Sequence, residues 1–169
     1  MKYHISLRVL HWLIAIIIIC LLISGLTLDY WPKEFKKYFY YYHKSFGILI
    51  LAFVVTRISC RIIFKTPAYP EKFSKMTVIM AKGGTYLFYA LMIAIPITGY
   101  LMSMGGGHGV SVFGFALPDL VGANKALART AYELHETFAN LLIATIVLHI
   151  SAVLKHYIID KENLLKRMW

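Results

Sequence analysis

The segment from Thr130 to His156 reads TAYELHETFANLLIATIVLHISAVLKH. From Phe138 to Leu154 it is apolar enough to lie in a bilayer, yet it carries two imidazoles 14 residues apart, His135 and His149. Thr130 with Glu133 three residues later has the spacing of a capping box, so a helix is expected to open there. At about 1.5 Å and about 100° per residue, the two histidines lie about 21 Å apart along the axis and within about 40° of one azimuth. One helix therefore presents two histidines on one face, each near a different membrane surface.

The rest of the 169-residue chain has the same character. Hydrophobic residues make up 59% of it, and the mean hydropathy is +0.65. Such values exclude an ordinary soluble domain. Three further apolar runs, Val9–Leu28, His43–Phe64 and Gly83–Met104, are each long enough to cross a hydrocarbon core. The expectation is an all-α integral membrane protein, a four-transmembrane-helix bundle forming a single domain over 1–169, with helices at about 9–28, 43–64, 83–104 and 130–156. No internal repeat, low-complexity tract or linker divides the chain.

Four crossings put both termini on one side, and the basic residues say which. Twelve lysines and arginines fall at the termini and the second connection with its flanks, against six on the opposite side, Lys33, Lys36, Lys37, Lys44, Lys125 and Arg129. The positive-inside rule then places both termini in the cytoplasm. The first apolar run is too long for a signal-peptide core and no A-x-A-like site follows it, so it reads as a retained helix. Trp31, Tyr30 and the tyrosines Tyr38, Tyr40, Tyr41 and Tyr42 fit an outer aromatic belt. Gly105–Gly107 open the longest connection without the Gly-Lys-Ser/Thr of a phosphate loop. No nucleic acid is expected as a partner. Cys20 and Cys60 lie at different depths, which gives a disulfide little support.

With this orientation His11 is inner and His43 outer, so His11 can meet His149 and His43 can meet His135. Two imidazoles from facing helices suit a low-spin haem that passes electrons, and the absence of C-x-x-C-H argues for non-covalent b-type haem. Any one of the four, taken alone, reads more readily as a packing or interfacial histidine than as a ligand, and metal-ion or proton translocation is the alternative for the set. His156 lies at the inner helix end, where a surface or propionate contact is expected; His4 and His108 read as solvated. Haem propionates need cations, and Arg8, Arg57 and Arg61 lie at the inner level, where they also read as snorkelling anchors. Lys44 adjoins the outer histidine, while Glu133 and Glu136 suit the helix dipole. Gly47 offers a porphyrin face close approach to the backbone, and Gly25 and Gly99 mark close packing of the same kind or plain helix contacts. Helix three, with Pro96, has no histidine and is expected to flank the haem-bearing trio.

The motifs RVLHW (Arg8–Trp12), HKSFG (His43–Gly47), PITG (Pro96–Gly99), FGFALP (Phe113–Pro118) and LHET (Leu134–Thr137), with the tail from His149 to Met168, cover nearly the whole chain. In this order they resemble the bacterial cytochrome b561 family. The resemblance implies two haem b groups (iron protoporphyrin IX), His11 and His149 on one and His43 and His135 on the other, in the bacterial inner membrane. It also implies electron exchange with ubiquinone, and compact members include a superoxide oxidase. Lys33, Lys36, Lys37 and Lys44 then read as a positive field steering superoxide, or as a belt for anionic membrane lipid. The leading expectation is superoxide:ubiquinone oxidoreduction without a side-chain acid or base. The alternative is a cytochrome b subunit relaying electrons from a partner dehydrogenase or reductase to quinone.

Overall fold

The structure is a computed structural model that describes residues 1–169. Four helices dominate it: α1 (Ile5–Thr27), α2 (Lys33–Ile63), α3 (Lys75–Gly105) and α4 (Lys125–Ile158). Each is long and apolar enough to cross a membrane. A two-stranded hairpin, β1 (Ser111–Val112) and β2 (Phe115–Ala116), lies in the connection between α3 and α4.

The helices start earlier than the apolar runs. Hydropathy registers only the part of a helix that lies in hydrocarbon, whereas 31 residues extend about 46 Å against a core of about 30 Å. α2 begins ten residues before His43, after Pro32, whose carbonyl accepts from the Phe35 and Lys36 N–H groups at 3.0 and 3.2 Å. α3 begins at Ser74, whose Oγ accepts from the Thr77 N–H at 3.1 Å, so Gly83 and Gly84 lie inside the helix. The capping box expected at Thr130 is not formed. Asn124 caps α4 instead, its Oδ1 accepting from the Leu127 N–H at 3.0 Å, and Glu133 pairs with Arg129 Nε at 3.1 Å.

α3 packs along α4 and α1 along α2, with α2 also against α3, while α1 and α4 meet only sparsely. The buried core consists of Ile14, Ile18, Ile50, Val54, Leu91, Met92 and Leu142. Leu142 stands seven residues from both His135 and His149, Ile50 seven after His43 and Ile18 seven after His11. The core is therefore an apolar layer midway between the two histidine levels.

Each end of the bundle is tied down. At the end bearing both termini, the Tyr3 N–H donates to the Arg167 carbonyl at 3.1 Å and Trp12 Nε1 to the Met168 carbonyl at 3.0 Å. Asp160 Oδ2 accepts from Lys155 Nζ at 2.7 Å and from His156 Nδ1 at 2.5 Å, and His156 stacks on Phe73. At the opposite end the hairpin turns through Phe113 (φ +49°) and Gly114 (φ +95°). This is the two-residue geometry that favours Asn-Gly, and a bulky residue in it costs about 1–2 kcal/mol. The buried Ser45 offsets that cost, donating to the Ser111 carbonyl and accepting from the Phe113 N–H, both at 3.2 Å, while Phe46 meets Phe113 edge-on.

The hydrogen bonds from Lys155 and His156 hold the Asp160 carboxyl below the ordinary carboxylate value of 3.8. The tail clasp is thus fully present above that value and is lost as pH falls through the lowered one. Asp160→Asn should speed amide exchange of residues 159–169 several-fold at neutral pH, with exchange in α1–α4 unchanged; equal exchange in both proteins would remove Asp160 from the clasp.

Candidate functional site

The bundle brings the four helix histidines together in two pairs. The rings of His43 (α2) and His135 (α4) have centres 6.3 Å apart and planes crossed at 63°. Those of His11 (α1) and His149 (α4) are 6.4 Å apart and crossed at 70°. His43, His135 and His11 are half-buried, whereas His149 is exposed where α1 and α4 fail to close on each other.

At the His43–His135 level the outward-turned ring nitrogens are fixed. Ser24 Oγ lies 2.9 Å from the Leu21 carbonyl, to which it can donate, and 2.8 Å from His43 Nδ1, whose hydrogen it can then accept. The Ile95 carbonyl likewise accepts from His135 Nδ1 at 2.9 Å. His135 therefore keeps Nε2 free as a lone-pair donor, and His43 does so with its hydrogen on Nδ1, the arrangement usual for metal-ligating histidines. Glycine makes these approaches feasible. A Cβ on Gly99 would stand 3.0 Å from His135 Cε1, and one on Gly25 3.4 Å from His43 Cε1, while one on Gly47 would meet nothing within 4 Å.

A metal with an imidazole on each side, at about 2.0 Å from each nitrogen, places the ring centres about 6.3 Å apart. Both pairs have that spacing. No group of three or more His, Cys, Asp or Glu side chains is placed to hold a bare metal ion. A planar group that brings its own equatorial donors and needs only two axial ones fits this donor set, and haem is such a group.

The two levels differ in their charged surroundings. At the end bearing the termini, Arg57 is buried, donates to the Leu7 carbonyl and is a charged neighbour of His11, with Arg61 near it. Arg8 Nε is buried without any partner, an unspent donor beside the same level. Trp12 and Phe88 flank the two rings edge-on, each at 5.4 Å. Beside them Ile5, Arg8, Trp12, Ile16, Met168 and Trp169 line much of an open, mainly apolar groove of about 400 Å³.

At the other end, Lys44 Nζ is held by the His108 and Gly109 carbonyls at 3.4 and 3.3 Å, which fixes its charge at the loop. Lys36, two helical turns from His43 on the same face, lies 3.7 Å from Asp29. Lys37 sits over the Tyr38 ring at 4.9 Å, and Lys33 opens α2. His108 and His4 are exposed, His4 capping α1 and stacking on Phe64; His156 is taken by Asp160.

Ser24 and the Ile95 carbonyl are the participants that sequence reasoning missed. α3 does more than flank the trio, since its Ile95–Gly99 turn seats His135. The PITG motif was the available signal, but which backbone oxygen it presents follows only from how α3 packs on α4.

Known proteins match the chain over almost its whole length. The profile of the prokaryotic cytochrome b561 family matches residues 2–169. Cytochrome b561 homolog 2 of Escherichia coli (strain K12) is 37% identical over 99% of this chain and 90% of its own length. The probable superoxide oxidase CybB of Yersinia pestis is 33% identical over 94% of this chain and 90% of its own length. Cytochrome b561 homolog 1 of Escherichia coli (strain K12) is 27% identical over 94% and 92%. Matched almost from end to end, the chain belongs to the prokaryotic cytochrome b561 family, multi-pass proteins of the bacterial inner membrane that bind haem b and carry electrons.

Proposed function

We propose that this chain, a single domain with both termini in the cytoplasm, holds two b haems and transfers electrons from periplasmic superoxide to ubiquinone. The observation that carries the reading is the pair of histidine levels, each spaced for axial ligation and set at opposite ends of the bundle. His43 and His135 hold one haem, with Gly47 leaving room at its face, and His11 and His149 hold the other. Arg8, Arg57 and Arg61 offer donors to propionates at the second level. Each haem, when bound, supplies a one-electron couple.

The chain's part is position, charge and exclusion of water. Superoxide gives up one electron and departs as dioxygen, so no bond in it breaks and no general acid is needed. Two such events, with two protons, convert ubiquinone to ubiquinol. Lys33, Lys36 and Lys37, together with the fixed charge of Lys44, give the periplasmic end a positive field that favours a small anion. The groove beside Arg8, Trp12 and Trp169 suits a quinone, its mainly apolar walls taking the ring and tail. The name of the Yersinia pestis relative, a probable superoxide oxidase, supports the same reading. A relay from a partner dehydrogenase or reductase is the second reading, favoured by the exposed aromatics Phe35, Tyr38 and Tyr42 on the projecting end of α2.

Purified protein should contain two haems per chain, and His43→Ala or His149→Ala should each leave one. Crossed imidazole planes leave the two ferric π orbitals nearly degenerate, so both haems should give strongly anisotropic low-spin signals by electron paramagnetic resonance. Gly99→Val, which drives a side chain into the His135 ring, should cost the haem of that level alone. A preparation free of haem absorption would overturn the reading.

With ubiquinone present, the protein should accelerate superoxide loss. Replacing Lys33, Lys36 and Lys37 together by Gln should lower the second-order rate about tenfold at low salt and much less at high salt. A rate indifferent to both changes would refute steering, and haem reduction only by a co-purifying protein would favour the relay. Trp12→Ala should raise the KM for quinone while leaving both haems bound.

A further inference from the structure

Resting on the di-haem reading above, we propose that the chain sets the two haems at different reduction potentials, with the His43–His135 level the lower, and that Ser24 is a positioning residue tuning it. At that level both axial imidazoles are tied through Nδ1 to oxygen acceptors, Ser24 Oγ at 2.8 Å and the Ile95 carbonyl at 2.9 Å. An accepted Nδ1–H pushes electron density onto Nε2, makes the imidazole a stronger donor and so favours ferric over ferrous iron. Ser24 is committed to this role. With His43 Nε2 on the iron, its hydrogen sits on Nδ1, so Ser24 Oγ accepts it and turns its own hydrogen to the Leu21 carbonyl.

The His11–His149 level is built the opposite way. The neighbours of its rings are the edges of Trp12 and Phe88, and neither Nδ1 is tied to a protein acceptor. The buried Arg57 guanidinium stands near His11, with Arg8 and Arg61 at the same end. A cation in a low-dielectric setting favours the less positive iron, which is the ferrous one. The cations of the other level, Lys44 and the lysines opening α2, lie toward solvent and are screened there, whereas Arg57 is buried, so the level with Arg57 beside it is the more oxidising. Both differences act in one direction, and an electron placed on the His43–His135 level runs downhill toward the end bearing the termini.

The test is a redox titration of the purified, haem-loaded protein, followed by visible absorption and electron paramagnetic resonance. Wild-type protein should titrate in two components. His149→Ala, or His11→Ala if that variant does not fold, should retain only the lower one. Ser24→Ala should move the lower midpoint up and leave the upper in place; Ser24→Thr, which keeps a hydroxyl, should restore the wild-type value. Arg57→Gln should move the upper midpoint down. Two haems with one shared midpoint, retention of the higher component in His149→Ala or His11→Ala, or an unmoved lower midpoint in Ser24→Ala would each overturn the inference while leaving the di-haem reading intact. A single haem per chain would overturn that reading, and the inference with it.

Discussion

An imidazole inside a bilayer has two nitrogens to satisfy and no water to do it. Everything else in this bundle is arranged around that requirement. Each of four histidines faces another across a gap of about the width of a metal and its two bonds, and for two of them the far nitrogen is met by an oxygen from a neighbouring helix. The lipid-facing sides need no such care, which is why so few residues of a strongly apolar chain are fully buried. The largest buried apolar cluster is the thin layer of Ile14, Ile18, Ile50, Val54, Leu91, Met92 and Leu142 that separates the histidine levels.

Packing follows the same logic. Because α1 stays apart from α4, the bundle is joined mainly by the α1–α2, α2–α3 and α3–α4 contacts. Glycine is placed where a ring must reach a neighbouring backbone, at Gly99 and Gly25, and a third glycine, Gly47, faces open space. The ends are held by separate devices. A C-terminal tail laid across Trp12 closes one, and a hairpin pinned by Ser45 closes the other.

The number of helices and the depth of the histidines were legible in the sequence, because both depend on quantities that run along a single helix, namely hydropathy and 14-residue spacing. The start of α2 was not, since Lys33–Tyr42 is helical but too polar and aromatic to register as a span. Asn124 is masked as a cap by Thr130 and Glu133, which mimic one nearer the apolar run. Ser24 and the Ile95 carbonyl were hidden for a deeper reason. A backbone oxygen has no letter of its own, and whether it meets His135 depends on the rotation of α3 against α4. The same holds for Lys44, whose loop carbonyl partners lie 64 and 65 residues away in the chain.

The 14 residues between His135 and His149 also govern how this chain can vary over descent. One residue inserted between them would turn the following imidazole by about 100° and carry it about 1.5 Å along the axis, parting it from its partner on another helix. A whole double turn would restore the azimuth but carry the imidazole about 10.5 Å along the axis, away from its partner's level. Substitutions on the lipid side of that stretch leave both levels in place, but a change in its length does not.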